Sequence, residues 1–264
     1  MEHFAEEIEH LLHFLSSQSL EGTPVPLTNY LVFMFVAVVV TLTVLFVARS
    51  KAAVIPEGRF YNLIEVLVEF VRNDVAVANI GPEGTKYFPF LGTVFFFIAI
   101  NNIIGTIPGG KPGTGTMGVT VALAVIAFVM FNAYGMQKKG VGGYIKGIVP
   151  HGVPGVLWPV IWVIEVISML IRPFTLSIRL FANMYAGHIV LGIFSILCSI
   201  AAGQFIQGIQ GTGVANIAIG GFAAVAWMLL LTALYLLEIG VAILQAYIFT
   251  LLTTVYISLA VAEH

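Results

Sequence analysis

Two stretches of this chain, Leu157–Ala202 and Gly221–Val261, each run for more than 40 residues with scarcely a charged side chain. At 1.5 Å rise per residue, a helix of about 40 residues is roughly 60 Å long, twice the ~30 Å hydrocarbon thickness of a bilayer. Neither stretch can therefore stand upright as one straight helix, and neither carries a polar turn midway that would split it into two spans. The sequence predicts two long, strongly tilted helices forming an intramembrane hairpin through the uncharged connection 203–220, with Pro173 kinking the first.

The rest of the chain agrees with a membrane setting. Of its 264 residues 59% are hydrophobic and 9% charged, against roughly 25% charged in soluble domains. That excludes a cytosolic enzyme and a disordered chain. A net charge of −2 without a basic patch excludes a nucleic-acid binder. The single Cys198 excludes an internal disulfide framework. The expected fold is all-α: one polytopic membrane domain over 1–264, with upright spans, a surface amphipathic helix and the tilted hairpin.

Charge placement divides it. Residues 1–20 read as an interfacial helix, and their acidic start lacks the basic region of a secretory signal. A span covers 28–48, ended by Arg49 and Lys51. Residues 61–79 mix Glu65, Glu69, Arg72 and Asp74 with an apolar face, as a helix lying on the membrane would. Spans at 88–107 and 117–136 flank a Gly-, Pro- and Thr-rich loop. A surface or re-entrant connection, 140–159, leads to the long tilted helices 157–202 and 221–261. In this arrangement Arg49, Lys51, Arg59, Arg72, Lys86, Lys138, Lys139 and Lys146 share one side, and Lys111 lies opposite. The basic side is cytoplasmic, which places the N-terminus outside and the C-terminus inside.

Four charges fall inside the long helices: Glu165, Arg172, Arg179 and Glu238. Each costs at least about 2.5–3.5 kcal/mol at the bilayer centre, so each faces protein or water and marks an ion or substrate pathway. Glu165, Arg172 and Arg179 recur every seven residues, with Ser168 and Asn183 near the same stripe. Glu238 and Gln245, also seven apart, share a face with Tyr256 below them. His188 lies nine residues past Arg179, about half a turn round the helix and roughly 13 Å along it, as two separate aqueous routes require. Arginine stays protonated when buried, so Arg179 is a fixed charge that can lower the pKa of a partner's carboxylate and block direct cation passage. His188 and Glu238 are suited to accept and pass protons. Plainer readings stand beside these: Arg172 as a snorkelling side chain, Glu165 as a solvated helix-end residue, His188 as a hydrogen-bonded packing residue, Asn101 and Asn102 as helix–helix hydrogen bonds. The Gly-rich runs GTGTMG and KGVGGY lack a phosphate-loop pattern and read as turns.

The stretch Ser177-Ile-Arg-Leu-Phe-Ala-Asn-Met-Tyr-Ala-Gly-His188 resembles the signature of subunit a of the F-type ATP synthase. The tail from Leu244 to His264, Asn102 followed by Pro108, and Lys139-Gly-Val-Gly-Gly-Tyr144 are similar to that family too, over nearly the whole chain after residue 28. The resemblance implies a proton-carrying stator subunit, non-catalytic by itself, with no cofactor and no metal. Its implied partners are a ring of small hairpin rotor subunits, peripheral-stalk subunits and membrane lipid, in a bacterial plasma membrane. It implies that Arg179 faces the rotor carboxylates, with Asn183 and Gln245 beside it. Glu165 belongs to a half-channel open to the cytoplasm, with Ser168 on the same stripe. Asn102, His188 and Glu238 belong to one open to the outside. Many relatives place the acid first and the histidine second; the order here is reversed, which keeps one acid and one imidazole together and leaves either able to lead the relay. An acid is frequent three residues after the matched asparagine, where this chain has Gly105. An ion-coupled secondary transporter is the competing expectation, and it calls for broken helices and repeats.

Overall fold

The computed structural model describes residues 7–9, 28–50, 58–107, 109–148, 154, 157–212 and 214–262. The interfacial helix expected over 1–20 thus lies outside the described residues except at 7–9, which are helical. The chain is an all-α polytopic membrane protein, with five helices long and apolar enough to cross a bilayer.

Helix α1 (Asn29–Ser50) carries its one basic residue, Arg49, in the last turn. Its buried positions Tyr30, Ala37 and Thr41 are seven and four apart, on one face, and the Thr41 hydroxyl is satisfied by donating to the Ala37 carbonyl at 2.7 Å. Helix α2 (Arg59–Glu69) is amphipathic and runs on through a π-helical turn, Phe70–Val77, into Ala78–Ile80. Ile64, Val71, Val75 and Ala76 are its buried face. Gly81, at φ 94°, ends it in a conformation that disfavours side chains.

Helix α3 (Phe88–Thr106) is the best-covered span, and Leu91, Phe95, Ile98, Asn101 and Asn102 are all buried. After it, α4 (Met117–Lys139) turns at Gly140, φ 72°, into the short α5 (Val141–Lys146). The Tyr144 hydroxyl of α5 donates to Asn132 Oδ1 of α4 at 2.9 Å. Burial raises the Tyr144 pKa, which keeps the phenol protonated as that donor.

Helix α6 (Trp158–Gln207) is 50 residues long and α7 (Val214–Val261) 48, so each extends about 70–75 Å. Pro173 lies within the continuous α6. The uncharged loop expected over 203–220 is corrected here. Every described residue in that interval is helical: α6 reaches Gln207, a π-turn covers Gly208–Thr212, and α7 begins at Val214. The stretch is uncharged and rich in glycine, but it contains no proline to stop either helix from reaching into it.

The two long helices run antiparallel in a fixed register. A Cβ on Gly220 would strike the backbone at Gln204 and Phe205. Further along, the rings of Phe194 and Trp227 meet at 5.8 Å, Gly187 abuts Glu238, and Arg172 lies over the Tyr256 ring at 5.1 Å. Leu176, Leu180, Ala246 and Phe249 join residues of α3 and α4 in one apolar core.

Candidate functional site

Glu238 is buried against α6 although it sits in an apolar helix. Space for its carboxyl exists because residue 187 is glycine: a Cβ there would collide with both carboxyl oxygens. The contact sets Glu238 beside the turn that carries His188. His188 is the next residue after Gly187 along α6. His188 Nε2 and Asn183 Nδ2 are buried and have no hydrogen-bond partner among the described residues, which is costly for a polar group unless water or another chain supplies one.

Ala242 follows Glu238 by one helical turn, and its carbonyl accepts a hydrogen bond from Asn102 Nδ2 at 3.2 Å. The same asparagine accepts from Thr114 Oγ1 at 2.7 Å, and its neighbour Asn101 accepts from the Gly113 amide at 2.9 Å. Asn102 therefore joins three elements: α3, α7 and the 109–116 loop. Gly105 permits that loop to fold back, since a Cβ there would run into the Pro112 ring. An acid could not occupy this position beside Pro112 in its present place, which explains why the chain carries glycine. In the same loop Lys111 is buried, 5.6 Å over the Tyr30 ring. Sequence reasoning found Asn102 but missed Gly187, Pro112 and Thr114, whose importance arises only through space.

Arg179 lies on a different face. Its neighbours Leu176, Ser177, Leu180 and Met184 are buried, whereas Arg179, Ser168, Thr175 and Ala182 are exposed. This side of α6 is an open strip of small and polar residues. The Gly187–Glu238 and Arg172–Tyr256 contacts bracket Arg179 on α6 and Gln245, which is buried, on α7. On the inward side, Ser177 of α6 and Thr120 of α4 approach at 3.4 Å.

Toward the far end of α6, Glu165 and Arg172 line a cavity of about 270 Å³ together with Lys139, Tyr144 and Met169. The seven-residue stripe thus divides: Glu165 and Arg172 share a polar cavity, and Arg179 stands on the open face. The Arg172 guanidinium also lies over the Tyr256 ring, a cation–π contact. Among the described residues no cluster of His, Cys, Asp or Glu could hold a metal ion.

Comparison with known proteins adds an independent finding. Residues 31–258 match the family model described as the ATP synthase A chain. The chain is 39% identical over 239 residues to ATP synthase subunit a of Myxococcus xanthus, covering 89% of this chain and 73% of that one. It is 39% identical to the subunit a of Acidiphilium cryptum, over 92% and 91% of the two chains. To that of Gluconobacter oxydans it is 40% identical, over 88% and 87%.

Proposed function

The chain belongs to the ATP synthase A chain family, and on that premise we propose that it carries protons through two offset half-channels to and from carboxylates on a rotor ring. The family places it in the membrane sector of the F-type ATP synthase, where proton transport is coupled to ATP synthesis. In the proposed path a proton enters from outside and passes by way of Glu238 and His188 to a rotor carboxylate. Asn102 braces the wall of that entrance through its bonds to Ala242 and Thr114. Neutralised, the rotor carboxylate can turn through lipid. After nearly a full turn it meets Arg179, whose permanent charge favours the ionised acid. The proton then leaves by the cavity of Glu165 and Arg172, with Ser168 on the approach. Asn183 and Gln245 flank Arg179, and Arg179 keeps the two half-channels from joining.

The observation that carries this reading is the division of α6. Gly187 leaves room for the buried Glu238 carboxyl, while Arg179 stands on an exposed strip with Ser168, Thr175 and Ala182, a face that suits close approach of a curved ring. The length of α6 and α7 supports a strong tilt, because about 70 Å of helix exceeds the bilayer. Peripheral-stalk subunits, a bacterial plasma membrane, an outside N-terminus and a cytoplasmic C-terminus complete the proposal, the last two from the bias of basic residues. A single membrane domain is proposed for the whole chain. A secondary transporter calls for broken helices at its substrate site, whereas α6 and α7 are continuous past every charged residue they carry.

The test is Arg179→Ala in the assembled complex, with ATP-driven proton pumping measured in inverted vesicles. Loss of pumping is expected; pumping at the unaltered rate would overturn the motor reading.

A further inference from the structure

A groove of about 460 Å³ opens between α1, α2 and α3, away from the proton path. Its volume falls in the ~300–1,000 Å³ range of ligand clefts. Leu45 and Arg49 of α1, Tyr61, Glu65 and Val68 of α2, and Thr93 of α3 line it. Arg49 belongs to the last turn of a span and α2 is amphipathic, so the groove lies where hydrocarbon meets headgroups. It has an apolar floor and one charge of each sign. Those two charges are not paired with each other: among the described residues the ion pair is Lys138–Glu83.

From this arrangement we infer that the groove is a binding site for a zwitterionic phospholipid whose headgroup bears a phosphate and a primary ammonium. The Arg49 guanidinium receives the phosphate, for which its planar donor fork is suited. The Glu65 carboxylate accepts hydrogen bonds from the ammonium, and an acyl chain covers Leu45 and Val68. The pair of charges sets the selectivity. A headgroup with phosphate alone leaves Glu65 uncompensated beside its negative charge. A quaternary ammonium has no N–H to donate to Glu65. The site is independent of the proton path and stands whether or not that path is as proposed.

The experiment uses the whole complex in vesicles of equal parts phosphatidylethanolamine, phosphatidylcholine and phosphatidylglycerol. Each lipid in turn carries a photoactivatable acyl chain, and cross-links to peptides containing Tyr61–Val68 and Thr93 are quantified by mass spectrometry. Phosphatidylethanolamine should label these peptides about five-fold more than either other lipid, the size expected of one partly solvated charge contact. Glu65→Gln should reduce its labelling to the phosphatidylcholine level, and Arg49→Gln should reduce labelling by all three. Thr93→Trp, on an exposed position of the groove, should block it; if that variant fails to assemble, the Arg49 and Glu65 variants decide. Equal labelling by the three lipids, absence of labelling of these peptides, or labelling indifferent to Arg49→Gln and Glu65→Gln would each overturn the assignment.

Discussion

The carboxyl group of Glu238 on α7 packs directly against the backbone of Gly187 on α6, one residue before His188. A single missing side chain thereby decides whether the Glu238 carboxyl can be buried against α6.

Gly187→Ala should therefore impair proton transport although it changes no charge. The added methyl meets both carboxyl oxygens of Glu238, and overpacking of this kind costs about 1–3 kcal/mol. Proton pumping in vesicles should fall strongly while ATP hydrolysis by the detached catalytic sector is unchanged. Shortening the acid by one methylene, with Glu238→Asp in the Gly187→Ala background, should restore part of the flux. Additive loss in the double variant would argue that the contact is unimportant.

Asn102→Leu should destabilise the membrane sector more than it alters its electrostatics. It leaves the buried Thr114 hydroxyl without its acceptor and removes the side-chain bond to the Ala242 carbonyl, which keeps its helical partner. An unsatisfied buried group costs about 1–3 kcal/mol. A lowered midpoint of thermal unfolding in detergent is expected, with a smaller shift for Thr114→Val, which removes one bond from the site.

The Arg172–Tyr256 contact separates ring from hydroxyl. The guanidinium carbon lies 5.1 Å from the ring centroid, a geometry worth about 0.5–2 kcal/mol. Tyr256→Phe should preserve stability and Tyr256→Leu should lower it. Equal loss in both variants would point to the hydroxyl instead.

The Glu83–Lys138 pair predicts an acid-sensitive contribution. Their 2.9 Å hydrogen bond ties the turn before α3 to the end of α4, and it holds the Glu83 carboxyl below its ordinary 4.5. A depressed carboxylate pKa contributes stability that is present above the unfolded value and is lost as pH falls through the folded one. The difference in melting temperature between the unaltered chain and Lys138→Gln should accordingly be largest above pH 4.5 and vanish in stronger acid. Both residues are solvated, so salt should shrink it too.

Much of this architecture is written in the sequence because lipid is an unforgiving solvent. Apolar runs long enough to span, basic residues at their ends and four charges within the long helices each carry a free-energy cost that only a few arrangements relieve. Arg179, Glu165, His188 and Glu238 were therefore legible as single residues. The extension of both long helices into 203–220 was not, since an uncharged, glycine-rich stretch fits both a turn and a helix end. Nor was the role of Gly187, of Gly105 beneath Pro112, or of Thr114 bonded to Asn102. Glycine has no chemistry to announce itself, and a threonine in a loop is ordinary. Those assignments depend on the antiparallel register of α6 on α7 and on the fold-back of the 109–116 loop. Both are settled by close packing between residues far apart in the chain, where the space one side chain leaves is the space another needs.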